Sequence, residues 1–203
     1  MNTQPSNKSK CIRIKVPPDG NCFFHCLNLY LLLVNDELTP AMLQQESVVT
    51  FQYTDIMDDA TQRIRNSIFV YIQNDEKMLD YLCTMGYENN EEGLTRLQNE
   101  VTELRKNATY EIPLFDFFPI IVATLYRLKV YIYPVSYPIE QDSLNHPPHI
   151  YLPIDADPNY SYMTIHLLYV DAIHYELLVS KKFFHTNEME DSEIYAFLFS
   201  QVQ

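Results

Sequence analysis

The stretch Asp19-Gly20-Asn21-Cys22-Phe23-Phe24 decides how the rest of this sequence is interpreted. It follows two prolines, and an apolar run continues from the cysteine to about Val34, which is long enough for a buried helix. The sequence therefore predicts a tight turn with a cysteine at the start of a helix. Helix N-termini carry partial positive charge and free N–H groups, and both favour the thiolate, the nucleophilic form of cysteine.

The N–H groups of this turn would also suit a developing oxyanion. Those of Gly20, Asn21 and Cys22 are candidates to bind the oxygen of a tetrahedral intermediate. Gly20 fits such a place, because a backbone close to a reacting carbonyl has no room for a side chain. The alternative is that Cys22 is only a small buried hydrophobic residue, as free cysteines commonly are.

A thiol nucleophile needs a base, which is distant in sequence and close in space. Among the six histidines, His174 differs from the others because it opens a predicted strand directly after the turn Asp171-Ala172. A strand start at a sheet edge holds a side chain firmly and leaves it reachable. Glu176, two residues on, shares the same strand face, so its carboxylate is a candidate to orient the imidazole.

The other histidines are better explained without catalysis. His25 falls one turn into the predicted helix, and its side chain is expected to project away from the helix start and to contribute packing only. His166 lies inside an apolar strand, as a core or surface residue. The remaining ones fall in a proline-flanked loop and in a polar stretch after the last strand: His146, His149 and His185.

The sequence predicts no metal or cofactor. Cys22-x-x-His25-Cys26 has the spacing of half a zinc site, but no second Cys/His pair of suitable spacing completes it. A Gly-rich phosphate loop is also missing. The four cysteines show no disulfide spacing pattern.

Composition narrows the classes of function. With 203 residues the chain fits one domain, and its net charge of −13 argues against binding to nucleic acid. The acidity suits a cationic protein partner, although acidity mostly confers solubility. No apolar run reaches the roughly 18 residues of a membrane span, and the polar N-terminus lacks a signal-peptide core. We expect synthesis in a reducing, cytoplasmic compartment.

The hydrophobic pattern predicts an α+β fold, with helices packed on a central sheet. A short first strand is followed by several helices and then by a cluster of strands, of which the last two form a hairpin. The predicted helices are 22–34, 39–48, 58–73, 76–84, 90–106, 115–127 (bent or restarted at Pro119) and 188–199; the predicted strands are 12–16, 129–133, 149–153, 163–170 and 174–180.

Two motifs resemble those of the ovarian tumour (OTU) family of cysteine deubiquitinases. Asp19-Gly20-Asn21-Cys22-x-Phe24 resembles the family's nucleophile motif, and Ile173–Val179 resembles its histidine strand. Their separation of 174 − 22 = 152 residues suits the fold. Leu128–Tyr133 is similar to the strand that follows the family's last core helix. The motifs cover about a dozen residues, and the order of elements agrees over most of 12–181.

The resemblance implies a papain-like cysteine protease fold with a central, twisted, mostly antiparallel sheet flanked by helices. It implies Cys22 as the nucleophile and His174 as the general base and acid. Asp19 would shape the oxyanion loop and is often counted with the catalytic set. The family usually has Asp or Asn two residues after the histidine, where this chain has Glu176, so Glu176, Asp19 and Asp171 all stay candidates for the acid that orients the imidazole.

The expected activity is hydrolysis of isopeptide or peptide bonds at the C-terminus of ubiquitin or a ubiquitin-like modifier. The expected partners are ubiquitin, or a ubiquitin-like modifier, and its conjugates, and the protein is expected to be a monomer. It would act in the cytosol of its own cell or, if it is a secreted effector, in the cytosol of a host cell. The rival functions are a ubiquitin-binding module with little turnover and an OTU-like protease acting on the peptide bonds of a viral polyprotein. The expected domains are a flexible tail (1–10), a catalytic domain (11–181) and a helical extension (182–203), which suggests the front part of a longer protein.

Overall fold

Helices cover a six-stranded sheet in a computed structural model of the chain, which describes residues 11–35, 48–50, 55–88, 90–106, 112–136 and 146–180. The strands are β1 (Cys11–Lys15), β2 (Val48–Thr50), β3 (Leu128–Val135), β4 (His149–Tyr151), β5 (Met163–Val170) and β6 (His174–Ser180). The helices are α1 (Cys22–Val34), α2 (Asp55–Asn74), α3 (Glu76–Met85), α4 (Glu91–Glu103) and α5 (Phe118–Tyr126), with a 3-10 turn at Pro113–Phe117.

The strand order, β2-β1-β6-β5-β3-β4, places the two ends of the described chain side by side at the centre of the sheet. β1 and β6 are antiparallel, with Ile14 opposite Leu177. The β5–β6 and β3–β4 pairs are also antiparallel, whereas β1–β2 and β3–β5 are parallel. The sheet is therefore mixed, with antiparallel pairs in the majority, and the α+β prediction is confirmed. This order brings the start of β6 next to the chain that leads into α1.

The core lies between the sheet and α1. Every residue from Cys22 to Tyr30 is buried, so α1 is enclosed on all sides, as its continuous apolar run predicts. Leu177 and Val179 of β6 pack into the same cluster as Ile12 and Ile14 of β1. Burying an aliphatic side chain of this size contributes about 1.5–3 kcal/mol. The site's two chain segments are therefore fixed to one core.

Most predicted elements are confirmed, with small shifts at their ends. α1 has the predicted bounds, and the expected restart at Pro119 is present, because α5 begins at Phe118 after the 3-10 turn. β2 was not predicted, since three residues are too short to show a period. Val48, the predicted last residue of helix 39–48, instead begins this strand. The rest of that helix, the helix 188–199, both terminal segments and His185 lie outside the described residues.

No helix in the described ranges is both long enough and apolar enough to cross a membrane.

Candidate active site

Cys22 is the first residue of α1, as the sequence predicts. The turn before it needs glycine, because Gly20 has a φ of 78°, in the left-handed region that side chains rarely adopt. The side chain is buried, with 8% of the residue exposed, and Sγ accepts a hydrogen bond from the backbone N–H of Tyr175 at 3.4 Å. The nucleophile candidate thus contacts the strand that carries the histidine candidate.

Burial raises the pKa of the Cys22 thiol above its ordinary value of 9.0. The N–H groups of Tyr175 and Phe23 oppose this shift, because they stabilise the thiolate, while the Asp19 carboxylate adds to it. Burial has the largest effect, so the resting group at neutral pH is the thiol. A base is therefore required to activate it.

His174 is held at the start of β6 by a tight hairpin turn. Asp171 and Ala172 both have a positive φ, 52° and 57°, and the Tyr169 hydroxyl donates to the Ala172 carbonyl at 2.7 Å. Burial lowers the pKa of His174 below 6.5, against the opposing effects of the Glu176 carboxylate and the Val16 carbonyl. The imidazole is therefore neutral at pH 7, which is the form that accepts a proton.

Cys22 and His174 line one cavity of about 650 Å³. Sequence analysis predicted that they meet, and the sheet order explains how, because β6 lies beside β1. The other residues around the cavity are largely apolar: Pro18, Gly20, Phe23, Ile112, Pro113, Phe115, Asp116, Tyr169, Ala172, Ile173 and Tyr175. A buried thiol and a neutral imidazole on a shared cavity can carry out acyl transfer.

Glu176 shares a strand face with His174, but its carboxylate is bound to Arg13 of β1. The arginine donates from Nη2 to Oε1 at 3.0 Å and from Nε to Oε2, and both side chains are buried. Oε1 lies 3.9 Å from Nε2 of His174, which suits an ion pair once the imidazole is protonated but is too long for a hydrogen bond. The role of Glu176 as the orienting acid stays a prediction.

Asp19 contacts His25 in this structure. Its carboxylate accepts hydrogen bonds from the Asn21 N–H at 2.9 Å and from Nε2 of His25 at 3.0 Å, while Nδ1 of His25 bonds the Thr61 hydroxyl at 3.1 Å. The expectation that His25 projects away from the helix start is wrong. Side chains on a helix tilt toward its N-terminus, so a residue almost one turn in reaches back to the preceding loop.

Arg65 of α2 is the residue that sequence analysis missed. It is fully buried, and its guanidinium donates to the Asn21 side-chain oxygen from Nε at 3.0 Å and from Nη2 at 2.5 Å. Nη2 also reaches the Gly20 carbonyl at 3.4 Å, and the guanidinium stacks over the Phe24 ring at 4.2 Å. An arginine directly after Ile64 on the apolar face of the predicted helix was the available signal, because a buried cation must find partners.

The described residues hold no cluster of three metal-binding side chains. Both ring nitrogens of His25 are engaged, by Asp19 and Thr61, and Cys26 is a fully buried thiol whose pKa burial raises well above 9.0. His166, predicted to be either a core or a surface residue, is buried; its Nδ1 meets the Tyr133 hydroxyl at 3.1 Å, and burial lowers its pKa to about 3.

Comparison with known proteins identifies the fold. No family model and no curated protein matches the sequence. Among solved structures, the OTU domain of OTUD1 is similar with a TM-score of 0.52 at 12% identity, covering 84% of this chain and 86% of that one. The viral OTU domain protease of Dera Ghazi Khan virus has a TM-score of 0.50 at 14% identity, covering 85% and 82%. The chain has the OTU fold, as the motif resemblance implied.

Proposed function

We propose that this protein is a deubiquitinase, a cysteine hydrolase that cleaves the bond at the C-terminus of ubiquitin or a ubiquitin-like modifier. One observation carries the proposal: a cysteine at a helix N-terminus and a histidine at a strand start line one cavity of an OTU fold. The proposed chemistry uses a thiol, an imidazole and water, and we expect it to need no metal or cofactor. We assign the catalytic domain to 11–181 and expect it to act as a monomer. We also expect it to work in a reducing compartment, because the nucleophile must stay a thiol.

His174 takes the proton as the Sγ of Cys22 attacks the carbonyl carbon of the modifier's last residue. We assign this transfer to Nδ1, which is buried and makes no hydrogen bond within the described part of the chain, because Nε2 faces Glu176. As the C–N bond breaks, His174 returns the proton to the leaving lysine amine. Water, activated by the same imidazole, then hydrolyses the thioester and releases the modifier with a free carboxylate.

The oxyanion is stabilised at the turn formed by Asp19, Gly20, Asn21 and Cys22. The Asn21 N–H is already donated to Asp19, so we assign the main donor role to the Cys22 N–H at the start of α1. Asp19 acts here by fixing the loop. Its partners in the structure are the loop itself and His25.

The decisive experiment is reaction with a ubiquitin probe that carries a thiol-reactive group at its C-terminus, together with a panel of ubiquitin dimers. Wild-type protein is expected to form the covalent adduct and cleave at least one dimer, whereas Cys22→Ala does neither and still binds ubiquitin. Cys83→Ala, which changes another buried thiol on α3, is the matched control and should retain full activity.

Three results would contradict the proposal. Cys22→Ala activity above a few per cent of wild type would exclude Cys22 as the nucleophile, because losing a triad nucleophile costs several orders of magnitude in rate. Binding of ubiquitin without labelling would favour a binding module. Cleavage of unmodified protein substrates, with no action on dimers, would favour a protease that acts on polyprotein peptide bonds.

A further inference from the structure

The turn that precedes Cys22 is held by side chains from α2 as well as by its own sequence. Thr61 and Arg65 are four residues apart, so they lie on one face of α2, and both are buried. Thr61 reaches the turn through His25 and Asp19, and Arg65 reaches it through the Asn21 side chain and the Gly20 carbonyl. Two independent connections therefore run from one helix face to the same turn.

The Arg65 guanidinium also joins the turn to the end of α4. Nη1 donates to the carbonyls of Leu104 and Lys106 at 3.0 and 3.2 Å, where the last turn of the helix presents partial negative charge. A planar fork can satisfy four oxygens in different directions, which the single ammonium of a lysine cannot do. The charge is therefore held in a fixed orientation.

These contacts hold the groups next to the Cys22 N–H, which is the proposed hydrogen-bond donor to the oxyanion. The Gly20 carbonyl and the Asn21 side chain flank the Cys22 amide, so fixing both sets the direction of its N–H. The effects that shift the pKa of Cys22 are burial, backbone N–H groups and Asp19, as described above. Loss of the arginine fork should thus disturb the oxyanion site while leaving the thiol's intrinsic reactivity in place.

We propose that α2 is a positioning element for the oxyanion turn, with Arg65 and Thr61 as positioning residues that hold the Cys22 amide in its catalytic orientation. The inference rests on the proposed function for its kinetic readout. It extends the site to a helix that carries neither the nucleophile nor the base.

The test compares Arg65→Lys with Arg63→Lys, an exposed arginine on the same helix. Arg65→Lys is expected to lower kcat for ubiquitin-dimer cleavage about 10- to 100-fold, as loss of oxyanion alignment does, with KM within about twofold. Alkylation of Cys22 by iodoacetamide, which forms no oxyanion, should stay within about twofold of wild type. Arg63→Lys should match wild type in all three measurements.

An unchanged kcat, or a parallel loss of alkylation and hydrolysis, would overturn the proposal, because either shows that Arg65 does not act through the oxyanion turn. If Arg65→Lys does not fold, Asn21→Ala and Thr61→Val replace it, since each removes one connection and leaves the buried cation in place. Both should then lower kcat while sparing alkylation, and wild-type kcat in both would reject the role of α2.

Hydrogen exchange separates this inference from the proposed function. If wild-type protein cleaves no ubiquitin substrate, the proposed function fails, and the role of α2 is decided by amide exchange in residues 19–24. Faster exchange there in Arg65→Lys, with no change in Arg63→Lys, supports the positioning role. Equal exchange in both variants rejects it.

Discussion

Burial shifts the pKa values of the two proposed reacting groups, Cys22 and His174, in opposite directions. It raises the pKa of Cys22 and lowers that of His174, because the charged form is the thiolate in one case and the imidazolium in the other. The resting pair is therefore a thiol beside a neutral imidazole. This state differs from a preformed thiolate–imidazolium ion pair, and the difference can be measured.

The rate of Cys22 alkylation by iodoacetamide should rise with pH along a single titration whose midpoint lies above 9.0, the ordinary thiol value. The sign follows from the raised pKa, since the thiolate fraction grows only as the pH approaches it. The measurement is the second-order rate across the pH range, with Cys22→Ala to subtract the other thiols. A midpoint below 7 would show a preformed ion pair and contradict this prediction.

His174→Ala should reduce hydrolysis as severely as loss of Cys22, because nucleophile and base act as a unit. Glu176→Gln should be milder but clear, since the amide still positions the ring and no longer stabilises the imidazolium. The structure adds a second expectation for Glu176: removing one member of its buried pair with Arg13 costs about 3–5 kcal/mol of stability. Rates must therefore be measured where each variant is folded, as judged by thermal melts.

A matched set of acid variants identifies the orienting residue. If Glu176→Gln and Glu176→Ala leave the rate of the folded protein unchanged while Asp19→Ala removes it, the acid acts from the cysteine loop. The assignment of Glu176 would then be wrong. Because Asp19 bonds His25 and the Asn21 N–H, it would then act by holding the oxyanion turn, as proposed above.

At the scale of elements, α4 depends on a glycine at its start. Asn90 caps the helix by accepting from the Gly93 N–H at 2.8 Å, and a Cβ on Gly93 would lie 1.9 Å from the Glu88 carbonyl oxygen. Gly93→Ala should therefore destabilise the protein by about 1–3 kcal/mol through overpacking, although alanine favours helix elsewhere. Thr95→Ala, at an exposed position of the same helix, is the control for chemical denaturation.

A Gly93→Ala variant as stable as Thr95→Ala would show that the loop before α4 yields at little cost. A change in α4 would also affect the active site, because the carbonyls of Leu104 and Lys106, directly after this helix, accept hydrogen bonds from Arg65. A disturbed α4 is thus expected to lower activity together with stability.

At the scale of the whole molecule, the net charge of −13 favours a cationic partner surface. Two exposed carboxylates, Asp116 and Asp171, line one cavity next to the active site, and Asp116 also lines the active-site cavity itself. Binding of the modifier should weaken as salt is raised, since exposed charges are screened beyond about 8 Å at physiological ionic strength. Asp116→Asn and Asp171→Asn should reduce this salt dependence, and Asp80→Asn, an exposed position on α3 that lines neither cavity, should not.

The measurement is the affinity for ubiquitin, taken with the inactive Cys22→Ala protein, from low to high salt. An affinity that does not change with salt would reject the electrostatic contribution. It would instead indicate that apolar residues at the cavity bind the modifier, among them Ile173, which is 82% exposed.

Local patterns in the sequence determined most of the helices and strands and pointed to the two proposed reacting residues. The apolar run after Cys22, the turn at Gly20 and the alternation in β6 are short-range signals, because helix and strand periods repeat within a few residues. These patterns alone predict Cys22 at the start of a helix and His174 at the start of a strand, without any information about the distance between them. The motif resemblance supplied the fold, which the solved structures confirm.

The tertiary structure alone decided which polar groups pair. Arg13 with Glu176 and Arg65 with Asn21 are contacts between segments that lie far apart in the sequence, and no periodic pattern links them. A buried charge or amide bonds whichever partner the packing brings near, because leaving it unpaired costs more than any local preference. The sequence therefore determined the two residues that we propose react, and the packing of α2 and β1 decided which polar groups hold their surroundings.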